Sequence, residues 1–250
     1  MRVLPHRLPI WLAAMALCHP AMASPPGDGA WPETPRAEVR AYLHRDAAGL
    51  LIMPGNALPP HAGTIVILND AQGADGRAAP YVEQLLGAGF AVLALDELGA
   101  SPMEAASEAA ASHVGPVGVL GFGAGARLAA RLSGLAAGRA LLYPGCAGIA
   151  NAEVAVGGPV LLHHGGTDPL NAEEDCEGLG NALGRGGHVV RWRVYAGAGY
   201  AWDLPQHPGA GPTLLIQPGG AGRVRVHPVP GLAALSAAEV AGFFALAARR

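Results

Sequence analysis

The sequence predicts an α/β domain built on a doubly wound, mostly parallel sheet with helices on both faces. Three observations carry that prediction. Continuous apolar runs such as Thr64-Ile-Val-Ile-Leu68 and Phe90-Ala-Val-Leu-Ala-Leu95 have the composition of strands buried on both faces. Such runs alternate with helical stretches, which is the pattern of a parallel sheet with crossover helices. The length of 250 residues suits one domain with a full core, and no internal repeat or domain break interrupts it.

The elements follow in order. Residues 1–23 read as a secretory signal peptide: Arg2 and Arg7 lead a short apolar core, Leu8 to Leu17, and Ala21-Met-Ala23 fits a cleavage site. That core is too short to span a bilayer. Residues 24–35 are Pro- and Gly-rich and read as a flexible leader, and 36–250 as the single domain. Glu38–His44 alternates as a strand, and Leu50–Met53 follows across a turn at Asp46-Ala-Ala-Gly49. After a Pro-rich loop, 54–62, come a strand at Thr64–Leu68 and a helix at Ala78–Leu86. A strand at Phe90–Leu95 then precedes a helix at Pro102–His113, with proline in its first turn. Val117–Leu120 is a strand, and Ala124–Leu135 a helix. Strands are expected at Ala140–Tyr143 and Val160–His163, a helix at Asn171–Leu183 and a strand at Val189–Tyr195. A long insertion, 204–235, precedes a last helix at Ser236–Ala248, with Ser236 and Glu239 placed as a capping box.

Composition narrows the function classes. The formal charge of −3, with no basic run, gives no footprint for nucleic acid or an anionic membrane. Export to the periplasm or medium after cleavage behind Ala23 is expected, with no stable membrane insertion afterwards. A lipid anchor on Cys18 is disfavoured by the bulky Leu17 before it. Cys146 and Cys176 survive processing and are candidates to pair in an oxidising compartment; the alternative is a free Cys146 thiol near a site.

The sharpest local signal is at residues 116–130, Pro-Val-Gly-Val-Leu-Gly-Phe-Gly-Ala-Gly-Ala-Arg-Leu-Ala-Ala. A strand, a tight Gly-rich turn and a helix have the shape of the G-x-S-x-G nucleophile elbow of α/β-hydrolases. The centre of this elbow is Gly123, which has no side chain to attack a carbonyl. Glycine tolerates the strained dihedrals of that position, so the turn survives the loss. A phosphate loop would require a lysine, and the chain has none. The glycine spacing also departs from a dinucleotide fingerprint.

Further segments extend the likeness: Leu85-Leu-Gly-Ala-Gly-Phe-Ala-Val-Leu-Ala-Leu-Asp96, Leu142-Tyr-Pro-Gly145, Pro159-Val-Leu-Leu-His-His-Gly-Gly-Thr-Asp168 and Tyr195-Ala-Gly-Ala-Gly-Tyr-Ala-Trp-Asp203. Together with the elbow, and over most of residues 37–202, they resemble the dienelactone hydrolase family of α/β-hydrolases, whose triad runs nucleophile, acid, base. The resemblance implies the α/β-hydrolase fold and places the triad at Gly123, Asp168 and Tyr200. Only Asp168 matches; Gly123 stands for Cys or Ser, and Tyr200 for His. A tyrosine with an ordinary pKa of about 10 is a poor base. Tyr200 is expected to fill the histidine's volume and donate its hydroxyl to Asp168. The resemblance also places an oxyanion hole at the N–H groups of Ala71 and Ala124. It puts Asp70 where the family carries a glutamate that partners the nucleophile. Asp168 has a plainer alternative role, accepting backbone N–H bonds at the start of the next helix.

Tyr143, Cys146 and Trp202 complete the candidate ligand-binding set with Asp70, Ala71 and Ala124. No cofactor is expected. Adjacent His163 and His164 point to opposite faces of a strand, and no metal-ligand spacing occurs, so no metal is expected either. His207 and His227 lie in the insertion. Ser101 and Ser107 read as helix-boundary and surface serines. Three functions follow. The first is a pseudo-hydrolase binding a small carbonyl or carboxylate ligand, or a partner, through the old cleft. The second is an active ester or lactone hydrolase using Cys146 or an activated water, with Asp70 or Asp168 as base. The third is an interaction protein that does not use the cleft. Oligomeric state is not readable from the sequence.

Overall fold

The computed structural model describes residues 37–45, 47–55, 62–97, 102–111, 115–149, 153–155, 157–185, 188–206, 213–219 and 222–249. The expected signal peptide and leader, Ser101 and His207 lie outside the described residues. The elements are β1 (Glu38–His44), β2 (Ala47–Met53), β3 (Gly63–Leu68), α1 (Ala79–Gly87), β4 (Phe90–Glu97), α2 (Pro102–Ala111), β5 (Val117–Phe122) and α3 (Ala124–Ala129). They continue with β6 (Gly138–Leu142), a 3-10 turn (Cys146–Gly148), β7 (Val160–Gly165), α4 (Glu173–Leu183), β8 (Val190–Tyr195), β9 (Thr213–Ile216), β10 (Arg223–Val226) and α5 (Pro230–Ala247).

Eight strands form one sheet in the order β1-β2-β4-β3-β5-β6-β7-β8. β1 and β2 run antiparallel to their neighbours, and every other pairing is parallel. The doubly wound, mostly parallel sheet expected from the sequence is the sheet observed. Alternate residues of each buried strand feed opposite layers. Ile65, Ile67, Val92 and Leu120 meet Tyr81 and Leu85 of α1 and Val240, Phe243 and Phe244 of α5. Val66, Leu68, Leu93 and Val119 meet Ala106 of α2, Ala126 and Ala129 of α3, and Leu179 and Leu183 of α4.

Register brings the strand ends to one edge. Leu68 lies opposite Gly121, Phe122 opposite Leu142, Leu142 opposite His163, and Gly165 opposite Tyr195. The segments that follow these strands carry Asp70, Gly123, Tyr143, Asp168 and Tyr200, so parallel pairing alone gathers them.

Three sequence expectations change. The elbow helix stops at Ala129, not Leu135, because the Ala130 carbonyl is taken from outside by the Ala155 N–H at 2.9 Å and Arg139 Nη1 at 3.1 Å. The 204–235 insertion contains the antiparallel hairpin β9–β10, whose Leu215, Val224 and Val226 are buried. α5 begins at Pro230, so Ser236 is a buried interior residue and caps nothing. Proline at the first turn sacrifices no N–H bond. Ser236 Oγ instead meets the Tyr81 hydroxyl at 3.0 Å, and Glu239 accepts from Tyr195 at 2.7 Å. By length and composition alone α5 is apolar enough to cross a membrane, yet Val240, Phe243 and Phe244 are buried in the core.

Candidate functional site

The elbow survives as backbone. Gly123 adopts φ 49°, ψ −111° between β5 and α3. Its neighbours are glycines for steric reasons. A Cβ on Gly121 would stand 2.5 Å from Ala126 Cα, and one on Gly125 would stand 2.2 Å from the Leu68 carbonyl oxygen. The sharp crossing of α3 over β3 and β5 therefore requires both. Two bulkier residues nearby also carry positive φ, Tyr143 at 41° and Ala201 at 50°. Such strain persists only where the surroundings over-determine it.

The space above the elbow is filled by protein. A Cβ built on Gly123 would meet the Tyr200 hydroxyl at 2.2 Å and Asp70 Oδ1 at 2.3 Å. Asp70 Oδ1 accepts the N–H of Ala71 at 2.8 Å and the N–H of Ala124 at 3.0 Å. These are the two amides that the resemblance assigns to the oxyanion hole. The two amides converge on one point, and the chain's own carboxylate occupies it. Asp70 Oδ2 accepts the Tyr200 hydroxyl at 2.6 Å and Arg77 Nη1 at 3.2 Å. Each carboxylate oxygen thus has two donors, and the side chain is fully buried.

This arrangement corrects the expected partner of Tyr200, which is Asp70 and not Asp168. Asp168 serves its own loop, accepting the Leu170 N–H at 2.9 Å and Asn171 Nδ2 at 2.8 Å. Burial raises the Asp168 carboxyl above the ordinary range, against the pull of those two donors. Burial, then the adjacent Asp70, pushes the Tyr200 hydroxyl well up, so it stays a proton donor and not a base. No hydrogen-bonded nucleophile–base–acid relay links positions 123, 200 and 168.

Arg77 is the residue that sequence reasoning missed. It is 1 % exposed, in the turn before α1. It donates to Asp70, to the Tyr143 hydroxyl at 3.2 Å and, in a fork, to Asp75. Burial works against its charge, but Tyr143, Asp75 and Asp203 outweigh burial and hold the guanidinium above its ordinary range. Tyr143 in turn donates to Asp203 at 2.6 Å, and Tyr81 donates to the other Asp203 oxygen at 2.7 Å. Burial raises the Asp203 carboxyl, opposed by Arg77 and the two tyrosines. Trp202 packs edge-on against Tyr143, with centroids 4.8 Å apart. It forms the apolar wall beside this polar chain.

The remaining candidates stand elsewhere. Cys146 and Cys176 are joined as a disulfide with Cα atoms 5.0 Å apart. The sulfur of Cys146 is thus bonded, and no thiolate is available there to attack. The bridge ties the loop after β6 to α4, beside Asn171, whose Oδ1 also accepts the Gly145 N–H at 2.8 Å. His163 and His164 are both buried on β7, and burial holds His163 neutral, with its pKa pushed down to about 3. His227 is exposed after β10. Ser107 is on the surface, bonded to the Met103 carbonyl. Among the described residues no group of three or more His, Cys, Asp or Glu side chains is placed to hold a metal ion.

A family model for dienelactone hydrolases matches residues 97–213, a span that includes the elbow, Tyr143, Asp168 and Tyr200 but neither Asp70 nor Arg77. No curated protein matches by sequence. Among solved structures, the chain is similar to a Pyrobaculum calidifontis esterase, at 14% identity and a TM-score of 0.61, over 84% of this chain and 85% of that one. It is similar to a Rhizomucor miehei esterase at 13% identity and a TM-score of 0.61, over 87% and 86%. A Pyrococcus furiosus esterase matches at 16% identity and a TM-score of 0.52, over 67% and 85%. Identities this low speak for the fold alone.

Proposed function

We propose that this chain, a dienelactone hydrolase-like protein of the α/β-hydrolase fold, is an exported, non-hydrolytic homologue that acts by binding and not by covalent catalysis. The observation that carries the proposal is the Asp70 carboxylate seated on the Ala71 and Ala124 amides, directly over a nucleophile position that has no side chain. Acyl transfer needs an attacking group, a base to take its proton and an empty hole for the developing oxyanion. Gly123 supplies no nucleophile, and Tyr200 holds its proton against Asp70. All four donors around Asp70 are engaged with a charge that is already there. Attack by Asp70 itself, or by a water that it activates, would cost these four hydrogen bonds. The Cys146–Cys176 bridge supports the exported part of the reading, since disulfides persist in oxidising compartments.

The test is an assay of purified residues 24–250 with p-nitrophenyl esters and small lactones. Wild type is expected to match the buffer blank, and Asp70→Asn to change nothing. Turnover by wild type that Asp70→Asn abolishes would replace this reading with a hydrolase that uses Asp70. A second reading, an interaction role that ignores the cleft, is favoured by the same occupied hole, because no carbonyl ligand enters while Asp70 stays. Gel filtration with a periplasmic extract separates the two, since only the interaction reading requires a stable macromolecular partner.

A further inference from the structure

We infer that β1 is the contact strand of a homodimer: the partner that fits its open edge is β1 of a second copy, paired antiparallel about a two-fold axis at Ala41. β1 stands four strands away from β5 and its elbow, so this surface is independent of whether the chain hydrolyses esters.

β1 closes one end of the sheet, and among the described residues no strand pairs with its outer side. An open edge presents a row of backbone donors and acceptors, which chains commonly blunt with proline, a bulge or a short strand. β1 has seven residues, no proline and an unbroken register with β2. Its two faces differ. Val39, Ala41 and Leu43 lie opposite Ile52, Leu50 and Ala48 of β2 and make an apolar face, on which Leu43 is 80% exposed and Val39 56%. Glu38, Arg40, Tyr42 and His44 share the face toward α2, where His44 Nε2 stands 3.1 Å from Glu108.

A two-fold axis normal to the sheet keeps every side chain on its own face, so paired positions must differ by an even number. About Ala41 the strand is its own complement. Val39 of one copy meets Leu43 of the other, Arg40 meets Tyr42, Glu38 meets His44, and the whole strand is paired. These are an apolar pair, a cation against an aromatic ring and a carboxylate facing an imidazole, and each occurs twice. Moving the axis by one residue sets Arg40 against itself or against His44. β8, at the other end of the sheet, fails the same test: its two fullest registers set Arg191 against Arg193, or Arg193 against itself. Like charges directly opposite are destabilising, so the charge pattern selects β1 and selects a second copy. One strand from each copy makes a small interface, of the kind that forms and dissociates, and a reversible equilibrium is expected.

The test is a sedimentation-velocity concentration series on the purified protein in the form left by signal cleavage. Wild type is expected to move from monomer toward dimer as concentration rises. Leu43→Lys is expected to weaken association about tenfold or more, because the change enters twice per dimer. Its thermal unfolding in dilute solution should match wild type, since Leu43 is exposed in the single chain. Register is read by cross-linking. Ala41→Cys sets a thiol on the axis, opposite its own copy and within disulfide reach. Leu43→Cys sets the two thiols four residues apart along the strand, roughly 13 Å at about 3.4 Å per residue, which is beyond reach. Cys146 and Cys176 are already joined, so the introduced thiol is the free one. Under mild oxidation Ala41→Cys is expected to give a covalent dimer on a non-reducing gel and Leu43→Cys alone none, while Val39→Cys mixed with Leu43→Cys restores it. Wild type that stays monomeric at every concentration, a dimer as strong in Leu43→Lys, or equal cross-linking of Ala41→Cys and Leu43→Cys would each overturn the inference.

Discussion

The turn at Gly123 and the loop of Asp168 follow strands that end at one edge of the sheet, and they are built from opposite materials, backbone donors in one and a side-chain carboxylate in the other. At the elbow the backbone is intact and the side chain is gone: Gly123 still turns the chain from β5 into α3, and the Ala71 and Ala124 amides still converge. At the acid loop the side chain is the organiser: Asp168 bonds to Leu170 and Asn171 within its own turn. The difference follows from what each region must satisfy without chemistry. Buried N–H groups demand acceptors whether or not a substrate ever arrives. In the acid loop the native aspartate already meets that demand, so it needs no replacement. At the elbow Asp70 supplies the acceptor for both amides. In both regions the buried polar groups are satisfied within the chain, because an unsatisfied buried donor is costly.

If this comparison is right, substitutions on the elbow side cost more stability than those on the acid side. The largest effect is expected from Asp70→Ala, which strands two amides and the Tyr200 hydroxyl and takes from Arg77 one of its two carboxylate partners, Asp75 remaining. Three buried donors left without an acceptor, at upwards of about 1 kcal/mol each, predict a loss of about 4 kcal/mol in denaturant unfolding. A loss below about 1 kcal/mol would mean that water replaces the carboxylate freely, and the elbow would then be no better knitted than the acid loop.

Gly123→Ser comes next, at roughly 3 kcal/mol, combining a strained positive φ with overpacking against Asp70 and Tyr200. It is expected to restore no esterase activity, because its hydroxyl displaces the carboxylate without gaining a base. Asp70→Gly in the same chain is expected to recover part of that loss, a coupling read by a double-mutant cycle. Simple additivity of the two changes would show that Asp70 and residue 123 do not share one space.

How far all this was legible in the sequence differs between fold and site. The strands were readable because parallel strands buried on both faces are written as unbroken apolar runs, as in Thr64–Leu68. The start of α5 was not, because Ser236-x-x-Glu239 satisfies a capping pattern while serving two tertiary contacts, to Tyr81 and Tyr195. The gathering of Asp70, Gly123 and Tyr200 at one strand edge was legible through the elbow and the resemblance. The identity of Tyr200's partner was not, since two carboxylates lay within plausible reach and only their orientation decides. Arg77 was invisible, because one arginine beside a glycine-rich turn has no periodicity to mark it as buried.

On the acid side, replacing both cysteines with alanine is expected to cost about 2–3 kcal/mol, toward the lower end for a bridge of this loop length. The reduction has a local reason: Asn171 already ties the same two segments through the Gly145 amide. Denaturant unfolding of the oxidised wild type beside the double alanine variant measures it.

Asp168→Asn is expected to be the mildest change, at about 1 kcal/mol near neutral pH, because an amide oxygen still accepts the Leu170 N–H while the Asn171 contact weakens. Its pH dependence sharpens the comparison. Burial raises the folded-state Asp168 carboxyl above its unfolded value, so the folded protein takes up this proton more readily than the unfolded chain. Wild type therefore bears a desolvation cost at neutral pH and sheds it as pH falls through that raised value. Asparagine never bears the cost. The stability gap between wild type and Asp168→Asn should widen as pH falls from neutrality toward the ordinary carboxylate range, measured by urea unfolding at each pH. A gap that narrows instead would mean that the two donors hold Asp168 as a favoured anion, which would make the acid loop as firmly built around its charge as the elbow is around Asp70.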